Sequence, residues 1–592
     1  MLDTQAPQLA ASYGADPAPL LRMEDLCAGK LTAIDAQLEA SKILAAGGDG
    51  RWAMLEALAL WFQQRYGEAL EALVQPSAIE ACASIADYHN ICGMVARQLP
   101  GQEARALQAY RRALELEPDR SDTLYNLGNL LKQDQPEEAE QCYRRSLTIN
   151  ACAAACWHNL GIALCSQNRH QEALAPLRTS LRLDPAEADV WCNLGLAFYG
   201  LEQFEKAERC FRFTIGLDAN HAPSHLNLGN ALISVLQPEQ AIHFLERGVE
   251  LDSSSTNSLW NLALAYLLLG RFQEGWKYYE ARFNGKDFEK VQIPTSGLQI
   301  RQFEQLPLAG DPPVVVWSEQ GLGDSIQFCR YLNLLEASGV PYLFLARRQM
   351  LKLFKDWTGL GERVLPLGST DPATDQRPHL ALMSLPMLYN TELHSVPAQV
   401  PYLRANDPTP DHLRVPPPPG GLAVGLVWAS NPDNKAMYKN KSLPADLLLP
   451  RLLELADLDL IDLHSLQFGI DAEQLSPWLG HPRLTDWRDR LSDFSDTAHV
   501  LQQLDLIISV DTAVAHLAGA LNRPIWLLLP QNADFRWLKG RSHSPWYPSM
   551  RLFRQTAHGD WFSVVEQLKA ALDEMLLLDV GALVAESRGS RL

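Results

Sequence analysis

Two rhythms of apolar and polar positions divide this chain, and the change between them falls near residue 284. Upstream, the pattern is that of amphipathic helices laid out at a fixed period. Downstream the helical period ceases, and short apolar runs bounded by Gly, Pro, Asp and Ser predict buried strands alternating with helices. The predicted strands are Val314–Trp317, 342–345, 423–428, 459–463, Leu506–Val510 and Ile525–Leu529, and 551–553 begins a closing segment. A helix is predicted over 326–338, another ending near Leu504, and a third over 513–521 that Asn522 and Pro524 terminate.

The upstream period is explicit. Asn-Leu-Gly recurs at Asn126, Asn159, Asn193 and Asn227 and continues as Asn-Leu-Ala at Asn261, at intervals of 33 or 34 residues. A second series, Ala106, Ala139, Ala173, Ala207, Ala241 and Gly275, keeps the same phase. Small residues at fixed positions mark where two antiparallel helices approach closely, and Pro or Asp after the second helix starts the next unit. A 34-residue helix-pair period is that of tetratricopeptide repeats. Weaker units at Tyr66–Leu70 and Tyr88–Gly93 extend the array to about seven repeats. The final unit, Leu267 to Phe283, is aromatic-rich and reads as a cap that docks on the next domain. Such arrays stack into a superhelix with a concave groove. The repeated asparagines are candidates for holding an extended peptide's backbone there; the alternative is local bridging between helices.

Chemistry concentrates in the downstream half. After Val314–Trp317 comes Ser318-Glu-Gln-Gly-Leu-Gly-Asp324, a Gly-rich turn into a helix. Gln320, Gly321 and Gly323 form a candidate phosphate or acceptor loop, the glycines admitting a ligand close to the backbone. Asp324 stands at the helix entrance, where capping is its plain role. The turn lacks the third Gly of a dinucleotide fingerprint and the Lys of a P-loop. After Leu506–Val510, Asp511-Thr512 opens a helix that carries His516 one turn on. A strand's carboxyl edge meeting a helix N-terminus attracts anionic ligands. Capping is expected from Asp511 and Thr512, and helix packing is the plainer role for His516.

Composition narrows the class. The chain has 592 residues, 47% hydrophobic and 20% charged, long enough for several cores. A formal charge of −19 argues against general nucleic-acid binding. The N-terminus lacks the pattern of a signal peptide and no run of 18 apolar residues occurs, so a cytoplasmic protein without a membrane span is expected. Ten cysteines without a Cys-x-x-Cys pair read as buried thiols. No His/Cys/Glu cluster has metal-ligand spacing, so no metal or cofactor is expected.

Ser318–Asp324, Val424-Gly-Leu-Val-Trp428 and Ser509-Val-Asp-Thr-Ala-Val-Ala-His516 together resemble the heptosyltransferase-type glycosyltransferases. With the repeats in front, the architecture is similar to the O-linked N-acetylglucosamine transferases. The resemblance implies a multidomain fold: an all-α tetratricopeptide superhelix followed by a GT-B transferase of two Rossmann-like α/β domains. It implies Asp324 as catalytic base, and Asp511, Thr512 and His516 as donor-binding residues. Lys441, in the loop that ends Lys439-Asn-Lys-Ser442, would neutralise a departing diphosphate, and Gln467 falls in a loop near the donor's base. The expected organisation is a partly helical lead-in (1–47), repeats (48–284), a connector (285–311), an α/β domain (312–413), a Pro/Gly linker (414–421), a second α/β domain (422–575) and a tail (576–592). The expected activity is metal-independent, inverting transfer of a sugar from a nucleotide-diphosphate donor to a protein hydroxyl held by the repeats, with self-association left open. The alternatives are an inactive repeat scaffold and an envelope-glycan transferase.

Overall fold

The computed structural model describes residues 18–284, 297–356, 360–368, 374, 376–405, 408–418, 421–432 and 435–589. Parts of the expected lead-in, connector and linker, and the residues after Gly589, lie outside them. The chain forms two compact units, Met1–Asn227 and Leu228–Leu592, and their boundary falls inside the helix Ala222–Ser234.

Among the described residues, the regular elements of unit one are all helices. The repeats pair helices such as Ser121–Leu131 with Pro136–Ile149, Ala154–Ser166 with His170–Leu183, and Ala188–Gly200 with Phe204–Leu217. The Gly of each Asn-Leu-Gly has a steric reason. A Cβ at Gly128 would stand 2.7 Å from Tyr143, one at Gly161 2.5 Å from Leu177 and one at Gly195 2.5 Å from Phe211, in each case a side chain of the same repeat's second helix. The phased alanines Ala106, Ala139, Ala173 and Ala207 are fully buried on that second helix. Close approach of paired helices therefore selects both series. Upstream, Ala18–Cys27 and Ala33–Ala45 are helical, and Trp52–Phe62 is buried nearly all round.

Unit two begins with the last repeat helices, Pro238–Leu251, Thr256–Leu268 and Phe272–Tyr279, so the helical array does not end as a separate body at residue 284. Leu267, Phe272 and Trp276 share one core with Val316, Phe328, Phe535 and Trp546. Trp276 makes edge contacts with Phe328 and Phe535, both at 5.8 Å between ring centroids.

Two parallel sheets follow. The first comprises β1 (Val314–Trp317), β2 (Tyr342–Ala346), β3 (Val364–Pro366) and β4 (His379–Ala381), in the order β3-β2-β1-β4. The second comprises β5 (Leu422–Val427), β6 (Ile461–Ser465), β7 (Leu484–Asp486), β8 (Leu506–Val510), β9 (Ile525–Leu529) and β10 (Met550–Arg554), in the order β10-β9-β8-β5-β6-β7. Strand order reverses beside β1 in the first sheet and between β5 and β8 in the second. Loops at the carboxyl ends of such strands diverge and leave a crevice. The loops after β1, β5 and β8 carry the Asp324, Lys441 and Asp511 motifs.

Several local expectations change. The predicted 326–338 helix starts earlier, as Leu322–Phe328, passes through a 3-10 turn at Cys329–Tyr331 and resumes as Leu332–Ala337. The expected polar loop before Ser442 contains the helix Lys435–Lys441, because Lys, Ala and Met favour helix. The three-residue strands β3, β4 and β7 carry too few residues for a period to show. The closing helix, Trp561–Gly589, runs through the boundary expected at residue 575.

Candidate active site

The loop after β1 is held from behind. Glu319, whose side chain is fully buried, receives Arg282 Nε at 2.8 Å and Nη2 at 2.9 Å, and accepts the Met383 backbone N–H at 3.1 Å. Gln320 adopts φ +55°, its amide donates to Tyr279 Oη at 3.0 Å, and its carbonyl accepts from Arg347. The chain closing the repeats thus fixes this loop's shape. Gln320 faces Tyr279 rather than serving as an evident ligand contact.

The two glycines of the loop differ from each other. Gly321 has ordinary extended geometry (φ −84°, ψ 169°), and a Cβ there would meet only Asp324 Oδ2, at 2.9 Å. A Cβ at Gly323 would lie 2.7 Å from His516 Cδ2. Gly323 therefore serves contact between the helices Leu322–Phe328 and Ala513–Ala520, one from each α/β half. Asp324 caps its own helix, accepting Gly321 N–H at 2.7 Å through Oδ2, while Oδ1 pairs with Arg536. Burial raises its carboxyl pKa above the ordinary value, and the opposing pull of Arg536 and the Gly321 N–H does not cancel that rise.

Across the crevice, Lys441 Nζ lies 2.6 Å from Asp511 Oδ2. Burial works against both charges, but each outweighs it for the other: the Asp511 carboxyl is held below its usual range and the Lys441 ammonium above its own. Lys441 sits at the end of a helix, not in a loop, which aims it at the carboxyl edge of β8. Thr512 occupies the N-cap position of Ala513–Ala520 but caps no N–H with its side chain; its hydroxyl lies 3.1 Å from Ser509 Oγ. The expected capping is absent there, and the helix's first N–H groups have no intrahelical acceptor.

His516 is a packing and linking residue. It is buried, stacks on Trp537 at 5.3 Å between centroids, and shares a 3.0 Å hydrogen bond between Nδ1 and Tyr547 Oη. Its Nε2 is 3.8 Å from Asp511 Oδ1. Burial pulls its pKa down to about 3, so the ring is neutral at ordinary pH. Gln467 is also structural. Its carbonyl accepts from Trp428 N (3.1 Å) and Ala429 N (2.9 Å), and its amide donates to Ala429 O and Phe468 O. It pins the end of β5, and its amide is committed to backbone rather than to a donor's base.

Arg536 joins the site without a motif that marks it in the sequence. This buried guanidinium follows β9 in the third loop at the same sheet edge and pairs with Asp324 and, at 2.7 Å, with Asp534. A cation placed just beyond an apolar strand was the available signal, by the rule that drew attention to Asp511. Lys441, Asp511, Thr512, Arg536 and Asp324 therefore gather at one crevice. Among the described residues no group of three or more His, Cys, Asp or Glu side chains is arranged as a metal site, and no helix is long and apolar enough to cross a membrane.

In unit one the repeated asparagines bridge neighbouring repeats. Asn126 donates to Asn90 (3.2 Å), Asn159 to Asn129 (2.6 Å) and Tyr125 (3.2 Å), and Asn227 to Cys192 Sγ (3.5 Å); Asn193 lies 2.8 Å from His158 Nε2. Their amide N–H groups are thus engaged between helices. Asn261, in unit two, is half-buried.

Comparison with known proteins agrees with this division. Tetratricopeptide repeat models match residues 123–186 and 158–222, and the glycosyltransferase family 9 (heptosyltransferase) model matches residues 492–528. The chain is 27% identical over 357 residues to Protein FlbA of Caulobacter vibrioides, an alignment covering 52% of this chain. The chain spans about half (54%) of the length of that curated relative. Solved structures similar to the chain include MamA (22% identity, 27% of this chain and 94% of that one, TM-score 0.26) and YrrB, described as a TPR protein with an unusual peptide-binding site (21%, 31% and 94%, 0.27). PilW, a type IV pilus biogenesis factor, is a third (17%, 35% and 96%, 0.33). The chain thus carries tetratricopeptide repeats in its N-terminal half and, over residues 492–528 of its C-terminal α/β region, a stretch similar to the heptosyltransferase family.

Proposed function

We propose that the protein transfers a sugar from a nucleotide-diphosphate donor to a hydroxyl of a polypeptide acceptor held by the repeats, with inversion and without a metal, on a GT-B scaffold. The observation that carries this reading is the meeting of Asp324, from the edge of the first sheet, with Lys441, Asp511, Thr512 and Arg536, from the edge of the second. The open N–H groups of Ala513–Ala520 and the Thr512 hydroxyl suit the diphosphate. Lys441 and Arg536 supply positive charge where the leaving group becomes more anionic.

In this reading the acceptor O–H gives its proton to Asp324 as oxygen bonds to the anomeric carbon. The bond from that carbon to the phosphate oxygen breaks, and the nucleoside diphosphate leaves with the electron pair. Both cations are held by carboxylates before the donor arrives. The diphosphate then replaces Asp324 as partner of Arg536, which frees a carboxylate that burial has already made more basic. Asp511 keeps Lys441 aimed at the site.

The test presents the full-length protein with UDP-, GDP- and ADP-sugars and proteins co-purified from its host, followed by nucleotide-release assay and intact-protein mass spectrometry. Sugar added to a protein supports the reading. Nucleotide release with the sugar appearing on a glycan would favour an envelope-glycan transferase, the reading that the heptosyltransferase match at 492–528 favours. No release with any donor would leave a repeat scaffold.

A further inference from the structure

A cavity of about 750 Å³ opens in unit one, away from the crevice described above. It lies between two consecutive second helices, His170–Leu183 and Phe204–Leu217, with the intervening first helix Ala188–Gly200 as its floor. The floor is apolar and aromatic: Trp191, Leu194 and Phe198. The walls carry Arg178, Arg182, Lys206 and Arg209, all exposed, and no carboxylate lines the cavity. Arg178 and Lys206 both stand over the Phe198 ring, at 5.8 and 5.5 Å from its centroid.

Two features make this more than a groove between helices. Elsewhere in the array most arginines, Arg97 and Arg105 apart, meet carboxylates: Arg111 with Glu138, Arg120 with Asp87, Arg144 and Arg169 with Glu140, Arg145 with Asp119, Arg212 with Glu208. The four cations around the cavity form no ion pair with any described carboxylate, although the chain as a whole carries −19. The cavity is also distinct from the asparagine series. At 3.6 residues per turn, Asn193 projects roughly 130° round its helix from the direction shared by Trp191, Leu194 and Phe198.

We infer that this cavity is a docking site for an acidic peptide segment of a partner protein, with an aromatic or long aliphatic anchor on Trp191 and Phe198 and flanking carboxylates on the four cations. An apolar floor ringed by unpaired cations is complementary to that chemistry and repels basic segments. The volume accommodates a few side chains rather than a folded element. Docking here is independent of sugar transfer.

The test uses the full-length protein and a fluorescein-labelled peptide alternating Glu with Phe and Leu, read by fluorescence anisotropy. Binding is expected, weakening as salt rises. The same peptide with Lys for Glu is expected not to bind. Arg178→Glu with Arg209→Glu should weaken binding about tenfold or more, whereas Asn159→Ala with Asn193→Ala should leave it unchanged. As a check independent of substitution, the peptide should slow amide exchange over 170–183 and 204–217 in the unaltered protein. Equal affinity for the acidic and lysine peptides, protection elsewhere, or full competition by inorganic tripolyphosphate would overturn the proposal, the last by showing a site for any small polyanion.

Discussion

Asp324 carries two demands at once: one carboxylate oxygen caps its helix and the other pairs with Arg536. Asp324→Asn preserves much of the cap geometry but removes the base. Turnover should fall by about 10²- to 10⁴-fold while donor affinity holds or rises, because the neutral amide competes less for Arg536, measured by nucleotide release and by titration with donor. If Asp324 is the base proposed above, its ionised form is the active one, and activity should be lost as pH falls through its raised pKa. Arg536 is the largest influence holding that pKa down, so in Arg536→Ala the acid limb of the kcat/KM profile should move to higher pH. An unmoved limb would assign the titration to another group. Asp324's place at the end of a Gly-rich turn was legible, but its partner was not. Arg536 lies 212 positions away, and no local pattern couples residues across that distance.

At the level of elements, contact between the helices Leu322–Phe328 and Ala513–Ala520 decides how the two α/β halves meet. Gly323→Ala places a methyl against His516 and should destabilise the fold by roughly 1–3 kcal/mol, seen as a lower denaturation midpoint, with recovery when His516 is shortened to Ala. A Gly323→Ala protein as stable as the parent would show that the contact gives way freely. The second α/β half buries two imidazoles in the neutral form, His464 on β6 and His516 on the helix Ala513–Ala520. His464, bonded to Trp487 Nε1 at 3.1 Å, is pulled down to about 4 and His516 to about 3, both by burial. An unfolded histidine titrates near 6.5, so between that pH and the folded values the unfolded chain binds more protons. Stability is therefore complete above about pH 6.5 and declines on acidification, by up to about 1.4 kcal/mol per pH unit for each ring. Thermal melts from pH 7 to 4 should show it, with a shallower slope in His464→Gln. Strands β1, β5, β8 and β9 were legible because both faces are buried and their apolar runs are unbroken. Helix Lys435–Lys441 was not, because its polar residues also suit a loop.

For the molecule as a whole, the asparagine series and the crevice make separable predictions. Asn159→Ala with Asn193→Ala should raise KM for a protein acceptor about five- to tenfold, the scale of one or two hydrogen bonds, and leave KM for the donor unchanged. Equal effects on both would mean that the substitutions disturb folding rather than acceptor binding. The sequence alone determined the repeat period, the pairing of helices, the parallel α/β character downstream and the residue types at the sheet edges. These depend on local periodicity, turn chemistry and the fit of a small residue beneath the next helix, all within one unit of chain. Tertiary structure decided the rest. It drew the last repeat helices into the α/β core through Trp276, gave Gly323 and His516 to packing, and turned Gln467 toward backbone. It also seated Arg536 on Asp324. Which neighbour a buried side chain meets depends on how distant elements pack, and a one-dimensional pattern carries no record of that.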